Sequence, residues 1–146
     1  MILQIFRANS ALLAAGDLLV KGLGLTSARW QLLGGIADSD ALLSVAQLAR
    51  EIGVTRQSVQ RIVNELEIEG VIAFRPNPRH KRAHLVELTS HGRSVFERAM
   101  ELQRPWATTL GLNLTDAQVS QVCSTLEELT VALQGNEKAE RDETTS

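Results

Sequence analysis

A single cysteine, Cys123, excludes an internal disulfide and suits a reducing compartment. Long apolar runs are also missing. In the apolar first twenty residues the longest unbroken stretch is Ala11–Gly16, with Arg7, Asn9 and Ser10 before it and Asp17 after it. A membrane span needs about 18–20 such residues, so no membrane partner is expected and the chain reads as cytoplasmic.

Catalytic constellations are absent too. There is no nucleophile–base pair, and Lys21-Gly22-Leu23-Gly24 is too short and wrongly placed to cradle a phosphate, so its glycines read as a helix end. Glu127 and Glu128 are adjacent on a helix and face different directions. His80, His84 and His91 lack ligand spacing on one element, so no metal or other cofactor is expected. No internal repeat is present. An enzyme is therefore not expected.

What remains is a chain with 44% apolar residues, enough for a packed core, and a net charge of −2 that is unevenly spread. From Arg50 to Arg93 eight basic residues face five acids, giving +3 and leaving −5 elsewhere. Between Val71 and Arg82 there are four basic residues and no acid. Such a patch sets a local field that attracts nucleic acid even on a mildly acidic protein.

The periodicity predicts a long first helix over Ile2–Val20 and a second from an N-cap at Thr26 to about Ile36, with Trp30, Leu32 and Leu33 inward. Gly34-Gly35 and Asp38-Ser39-Asp40 are expected to end it. Ser44 caps a short helix, Val45–Ile52; Gly53 stops it, and Thr55 caps a fourth running to about Glu69. The period then changes to strand-like. Val71, Ile72 and Phe74 lead into a Pro76-Asn77-Pro78 turn, and Ala83–Leu88 returns, making a hairpin. Thr89 and Ser90 open a helix that passes Met100 towards a kink at Pro105. Leu114-Thr115-Asp116 opens a last helix, along which Val119, Val122, Leu126, Leu129 and Leu133 recur at helical spacing. The fold class is mainly α with a small β-hairpin wing: a winged helix-turn-helix over Leu43–Thr89 flanked by N- and C-terminal helices.

The fourth helix has two distinct faces. Val59, Ile62, Val63 and Leu66 share one and pack inward; Gln57, Gln60, Arg61 and Asn64 share the other, with Arg56 beside them. Amides and guanidiniums are the groups that read base edges, Arg on guanine and Gln or Asn on adenine. Glu65, Glu67 and Glu69 crowd the last turns, so the N-terminal half is the part suited to a major groove. In the hairpin, Arg75, Arg79, Lys81 and Arg82 bracket the Pro-rich tip around His80, a composition suited to phosphates or a minor groove.

Three stretches resemble the MarR family of bacterial regulators: L-T-S-A-R-W-Q-L-L from Leu25; L-S-V-A-Q-L-A-R-E-I-G-V-T-R-Q-S-V-Q-R-I-V-N-E-L-E-I-E-G-V-I from Leu43; and R-P-N-P-R-H-K-R-A-H-L-V-E-L-T-S-H-G from Arg75. The last is the most specific, because the family's wing typically ends in Arg-Ala, an apolar strand and Leu-Thr-x-x-Gly. The resemblance implies a homodimer with interleaved terminal helices, each recognition helix meeting half of a palindrome on double-stranded DNA. It also implies that Arg56, Gln57, Ser58, Gln60 and Arg61 face DNA, with Lys81 or Arg82 at the wing tip. His80 stands where the family usually has an Asp that steadies the wing arginine.

The expected DNA-contact set is thus Thr55, Arg56, Gln57, Ser58, Gln60, Arg61, Asn64, Arg75, Arg79, Lys81 and Arg82. Ile2, Ile5, Phe6, Val119, Val122, Leu126 and Leu129 are expected to form the dimer, because the terminal helices carry more apolar surface than a small winged core covers. Domain boundaries follow: a dimerisation helix over 1–24, a DNA-binding domain over 25–89, dimerisation helices over 90–134 and a disordered tail over 135–146. Cys123 is expected to be a buried structural thiol, and Trp30 core, although it lies where the family borders a ligand cavity. The functional expectation is a homodimeric repressor released by a small-molecule effector; a winged-helix protein–protein interaction module is the alternative.

Overall fold

The computed structural model describes residues 1–144, with side chains as far as Leu133. Its elements are α1 (Ile2–Val20), a 3-10 turn (Lys21–Leu23), α2 (Ser27–Ala37), β1 (Leu43–Ser44), α3 (Val45–Glu51), α4 (Arg56–Ile68), β2 (Ile72–Arg75), β3 (Leu85–Leu88), α5 (Ser90–Gly111) and α6 (Asp116–Thr144). The chain divides into two compact units, Met1–Arg104 and Pro105 onward.

In the first unit α2, α3 and α4 each begin where a side chain satisfies an unpaired amide. Thr26 accepts from the Arg29 amide (3.3 Å), opening α2. Ser44 and Gln47 form a reciprocal capping box on α3. Thr55 accepts from the Ser58 amide (3.2 Å), opening α4. Ser27, at the start of α2, is almost wholly buried against α1: its amide donates to Asp17 Oδ1 (2.6 Å) and its hydroxyl to the Leu13 carbonyl (2.7 Å). Ile2–Leu23 is, by length and composition alone, apolar enough to cross a membrane. Its Gly16–Val20 face instead packs on α2, with Val20 completely buried.

The core gathers Leu32 and Leu33 of α2, Leu48 of α3, Val59, Val63 and Leu66 of α4, and Ile72 and Val86 of the sheet, all completely or almost completely buried. Burial of one such side chain contributes about 1.5–3 kcal/mol, so this cluster sets the orientation of α4. The sheet is antiparallel in the order β1-β3-β2, with Leu43 opposite Val86, Ile72 opposite Leu88 and Arg75 opposite Leu85. The two-residue strand β1 was not anticipated.

One expected boundary is corrected. Gly34-Gly35 does not end α2, which runs to Ala37. A Cβ on Gly35 would meet Ile52 Cγ2 at 2.7 Å and Leu48 Cδ1 at 3.1 Å, so this glycine permits close packing of α3 rather than a stop. The helix α5 passes Pro105, where a kink is expected, and runs to Gly111.

In the second unit Thr115 opens α6, accepting from the Gln118 amide (3.3 Å) and donating its own amide to Gln118 Oε1 (2.9 Å). Cys123 is exposed rather than buried, because no side chain from Asp116 to Glu128 is covered in the single chain. Where a disordered tail is expected from Gly135, the backbone stays helical to Thr144, through a Glu-Lys-Ala-Glu-Arg run of good helix formers. Thr145 and Ser146 lie outside the described residues.

Candidate nucleic-acid interface

The turn between α3 and α4 passes through Gly53 at φ 70°, a left-handed conformation that costs a residue without Cβ little. It delivers α4 with Val59, Val63 and Leu66 fully buried and Ile62 nearly so. The opposite face carries the polar set read from the sequence. Arg56, Gln57, Arg61 and Asn64 are exposed and Gln60 is half-buried, its amide donating to Asn64 Oδ1 (2.9 Å). Thr55 and Ser58 are exposed at the helix start, hydroxyl to hydroxyl at 2.8 Å, so both serve the cap.

The hairpin between β2 and β3 bears Arg79, His80, Lys81 and Arg82, all exposed. With no Asp at position 80, the tip is shaped by backbone turns. Asn77 Oδ1 accepts from the Arg79 amide (3.0 Å), the His80 amide donates to the Asn77 carbonyl (3.3 Å), and the Ala83 amide donates to the His80 carbonyl (2.9 Å). Arg75 differs from the other wing cations. Its Nε donates to Glu87 Oε1 (2.6 Å), and a second guanidinium nitrogen pairs with the same carboxylate across the strands. The Arg75 hydrogen bond holds the Glu87 carboxyl below its usual range, and Glu87 correspondingly raises Arg75. Arg75, expected among the DNA contacts, is therefore neutralised on the sheet.

Between α4 and the wing lies a cleft of about 170 Å³. Arg56 and Gln60 line one side, Arg82, Ala83 and His84 the other, with Phe74 and Ser44–Ala46 completing it. The His84 and Phe74 rings are 6.0 Å apart, tilted by 50°. Arg56 and Gln60 on α4 and Arg82, 22 or more positions further along the chain, thus converge on one concave surface.

The acids at the end of α4 have a use that was not anticipated. Arg29 of α2 makes a two-pronged contact with Glu69 (2.9 and 3.0 Å) and reaches Glu65 Oε2 (3.0 Å). Glu65 Oε1 also receives Arg61, one turn earlier on α4, at 3.3 Å. The Arg29 hydrogen bond is the main cause of a Glu65 carboxyl held below its ordinary range. Periodicity does not reveal this role of Arg29, because its partners lie 36 and 40 positions away along the chain.

Of the residues expected at a dimer interface, Ile2, Phe6, Val119, Val122 and Leu126 are exposed, Ile2 by 63% and Phe6 by 66%, while Ile5 and Leu129 are half-buried.

Comparisons with known proteins agree with this architecture. The MarR family model matches residues 23–83, from the end of the 3-10 turn to the wing. An uncharacterised protein of Mycobacterium tuberculosis is 40% identical over 101 residues, 69% of either chain. Among solved structures, a MarR/EmrR family transcriptional regulator from Acinetobacter sp. ADP1 superposes with a TM-score of 0.83 at 19% identity, covering 92% of this chain and 94% of that one. A cysteine-to-serine mutant of MarR from E. coli, complexed with operator DNA, gives 0.78 at 24% identity, covering 86% and 90%. A winged helix-turn-helix with an amide- and arginine-bearing recognition helix, matched in sequence and in fold, leads to one assignment: the chain belongs to the MarR family of non-enzymatic, DNA-binding transcription regulators.

Proposed function

We propose that the protein is a homodimeric repressor that reads a palindromic operator with Arg56, Gln57, Gln60, Arg61 and Asn64, grips phosphates with Arg79, Lys81 and Arg82, and is released by a small ligand in the cytoplasm. The observation that carries the DNA-reading role is a division of charge. Arg56, Arg79, Lys81 and Arg82 have no acidic partner within salt-bridge distance among the described residues, whereas Glu65, Glu69 and Glu87 are each engaged by an arginine. Cations left uncompensated on one surface are what a polyanion neutralises. The amides of Gln57, Gln60 and Asn64 beside them favour base reading over a plain protein-docking face. A structural neighbour is held on its operator, which supports the same use here.

Dimerisation is supported by the exposed apolar side chains of α1 and, separately, of α6. Two-fold pairing is the commonest closed arrangement, and half-sites about 34 Å apart would match one DNA turn. Repression needs only occupancy of the operator. The cleft lined by Arg56 and Arg82 offers a route to that release, since an anionic effector seated there would compete with DNA for both.

A salt titration on palindromic and scrambled duplexes tests the proposal. Tight binding to the palindrome is expected, with a log–log slope of about −0.9 per phosphate contact. Binding that is absent or insensitive to salt would instead support the interaction-module alternative.

A further inference from the structure

Glu65 stands between two arginines with different duties. Its Oε2 holds Arg29 at 3.0 Å, and its Oε1 holds Arg61 at 3.3 Å. Arg29 is the more confined of the two, with a side chain 17% exposed against 71% for Arg61, and it is also tied to Glu69 and to the Gly24 carbonyl (3.4 Å). Arg29 belongs to α2, whose start is fixed on α1 through Ser27. It is therefore a stationary counter-charge at the end of the recognition helix, while Arg61 is the long, solvent-facing arm on the DNA-reading face.

We propose that Arg29 is a positioning residue for base reading: by engaging Glu65 and Glu69 it keeps the hold of the α4 acids on Arg61 weak and leaves that guanidinium for a base edge. The proposal rests on the DNA-reading role given to Arg61 above. An exposed i,i+4 pair such as Arg61–Glu65 is weak, about 0.3–0.5 kcal/mol, so DNA can break it while Glu65 is shared. Without Arg29 both oxygens of Glu65 turn to the one arginine in reach, and Glu69 adds unbalanced negative charge at the same helix end. Arg61 must then leave a stronger partner before it can read a base.

The test measures discrimination, not affinity alone, because removing any acid strengthens DNA binding of every sequence. The full-length protein first selects duplexes from a random pool; a fluorescent selected duplex and a scrambled one are then titrated with the wild type, Arg29→Ala, Arg29→Ala/Glu65→Gln and Arg61→Ala with and without Arg29→Ala. Arg29→Ala is expected to lower the selected-to-scrambled affinity ratio about tenfold, and adding Glu65→Gln to restore it to within about twofold. Thermal unfolding of the double variant should stay as low as that of Arg29→Ala, because neither makes the Arg29–Glu65 pair. In the Arg61→Ala background Arg29→Ala should leave the ratio unchanged. A ratio that follows thermal stability and is not rescued by Glu65→Gln overturns the positioning role while leaving DNA reading intact. A wild type that selects no duplex overturns the DNA reading itself, and this role with it.

Discussion

The carbonyl oxygen of Val71 occupies the volume that a Cβ on Gly92 would need. The contact closes the joint between the recognition helix and the helix after the wing. Thr89 completes it, its amide donating to the Val71 carbonyl (3.1 Å) and its hydroxyl to the Gly70 carbonyl (2.7 Å) while accepting from the Gly92 amide (3.0 Å). Gly92→Ala must push this backbone apart, so a loss of about 1–3 kcal/mol is expected, read from the urea midpoint. Gly22→Ala, where nothing lies within 4 Å of an added Cβ, should change stability by less than about 0.5 kcal/mol.

The wing arginines should separate by their partners. Arg82→Ala is expected to weaken binding to all sequences and to make the salt slope shallower by about 0.9. Arg75→Ala should alter it less, because Glu87 already neutralises that guanidinium. Glu87→Gln should move the slope the other way by releasing Arg75. Affinity measured against salt concentration for the three variants gives the order.

Acid should loosen the same ion pairs. Glu65 and Glu87 are held below their ordinary carboxylate range in the fold, chiefly by Arg29 and Arg75. A group lowered on folding stabilises fully above its unfolded value, about 4.3 for Glu, and that contribution disappears as pH falls through the folded value. Stability should therefore decline below about pH 4. Glu65→Gln/Glu87→Gln should show a shallower decline, measured as urea midpoints at pH 7 and pH 3.5. An equally steep decline would assign the acid sensitivity to other carboxylates.

If the protein pairs as proposed, charge placed on the exposed stripe of α6 should separate the two copies. Val122 and Leu126, 53% and 46% exposed, lie one turn apart on it. Val122→Glu/Leu126→Glu is expected to sediment as a monomer. Its affinity for a duplex with two half-sites should fall by about 10²–10⁴, the gain that linkage of two sites confers, with a single half-site bound as before. A variant that remains dimeric would place the interface elsewhere.

Local signals made much of this molecule readable. The caps Thr26, Ser44 and Thr55 each head the helix expected from them, and the alternation of Val59–Leu66 with Gln57–Asn64 separates the two faces of α4 as anticipated. What periodicity missed depends on distant partners. Arg29 meets Glu65 and Glu69 across 36 and 40 residues, Arg75 meets Glu87 across 12, and β1 exists only because Leu43 and Ser44 find Val86 and Leu85. Gly35 looks like a stop until α3 is seen lying against it. Cys123 was expected inside because helical spacing tells which residues share a face but not whether anything covers it.

The wing tip is shaped by short backbone turns, whereas α4 is locked by fully buried side chains, and this difference divides the kinetics of binding. Unpaired positive charge on a projecting hairpin accelerates encounter with a polyanion and loses that effect in salt. Contacts made by a helix that cannot shift set how long the complex lasts. Changes at Arg79, Lys81 or Arg82 should appear in the association rate, and changes at Gln57, Gln60 or Arg61 in the dwell time on the operator.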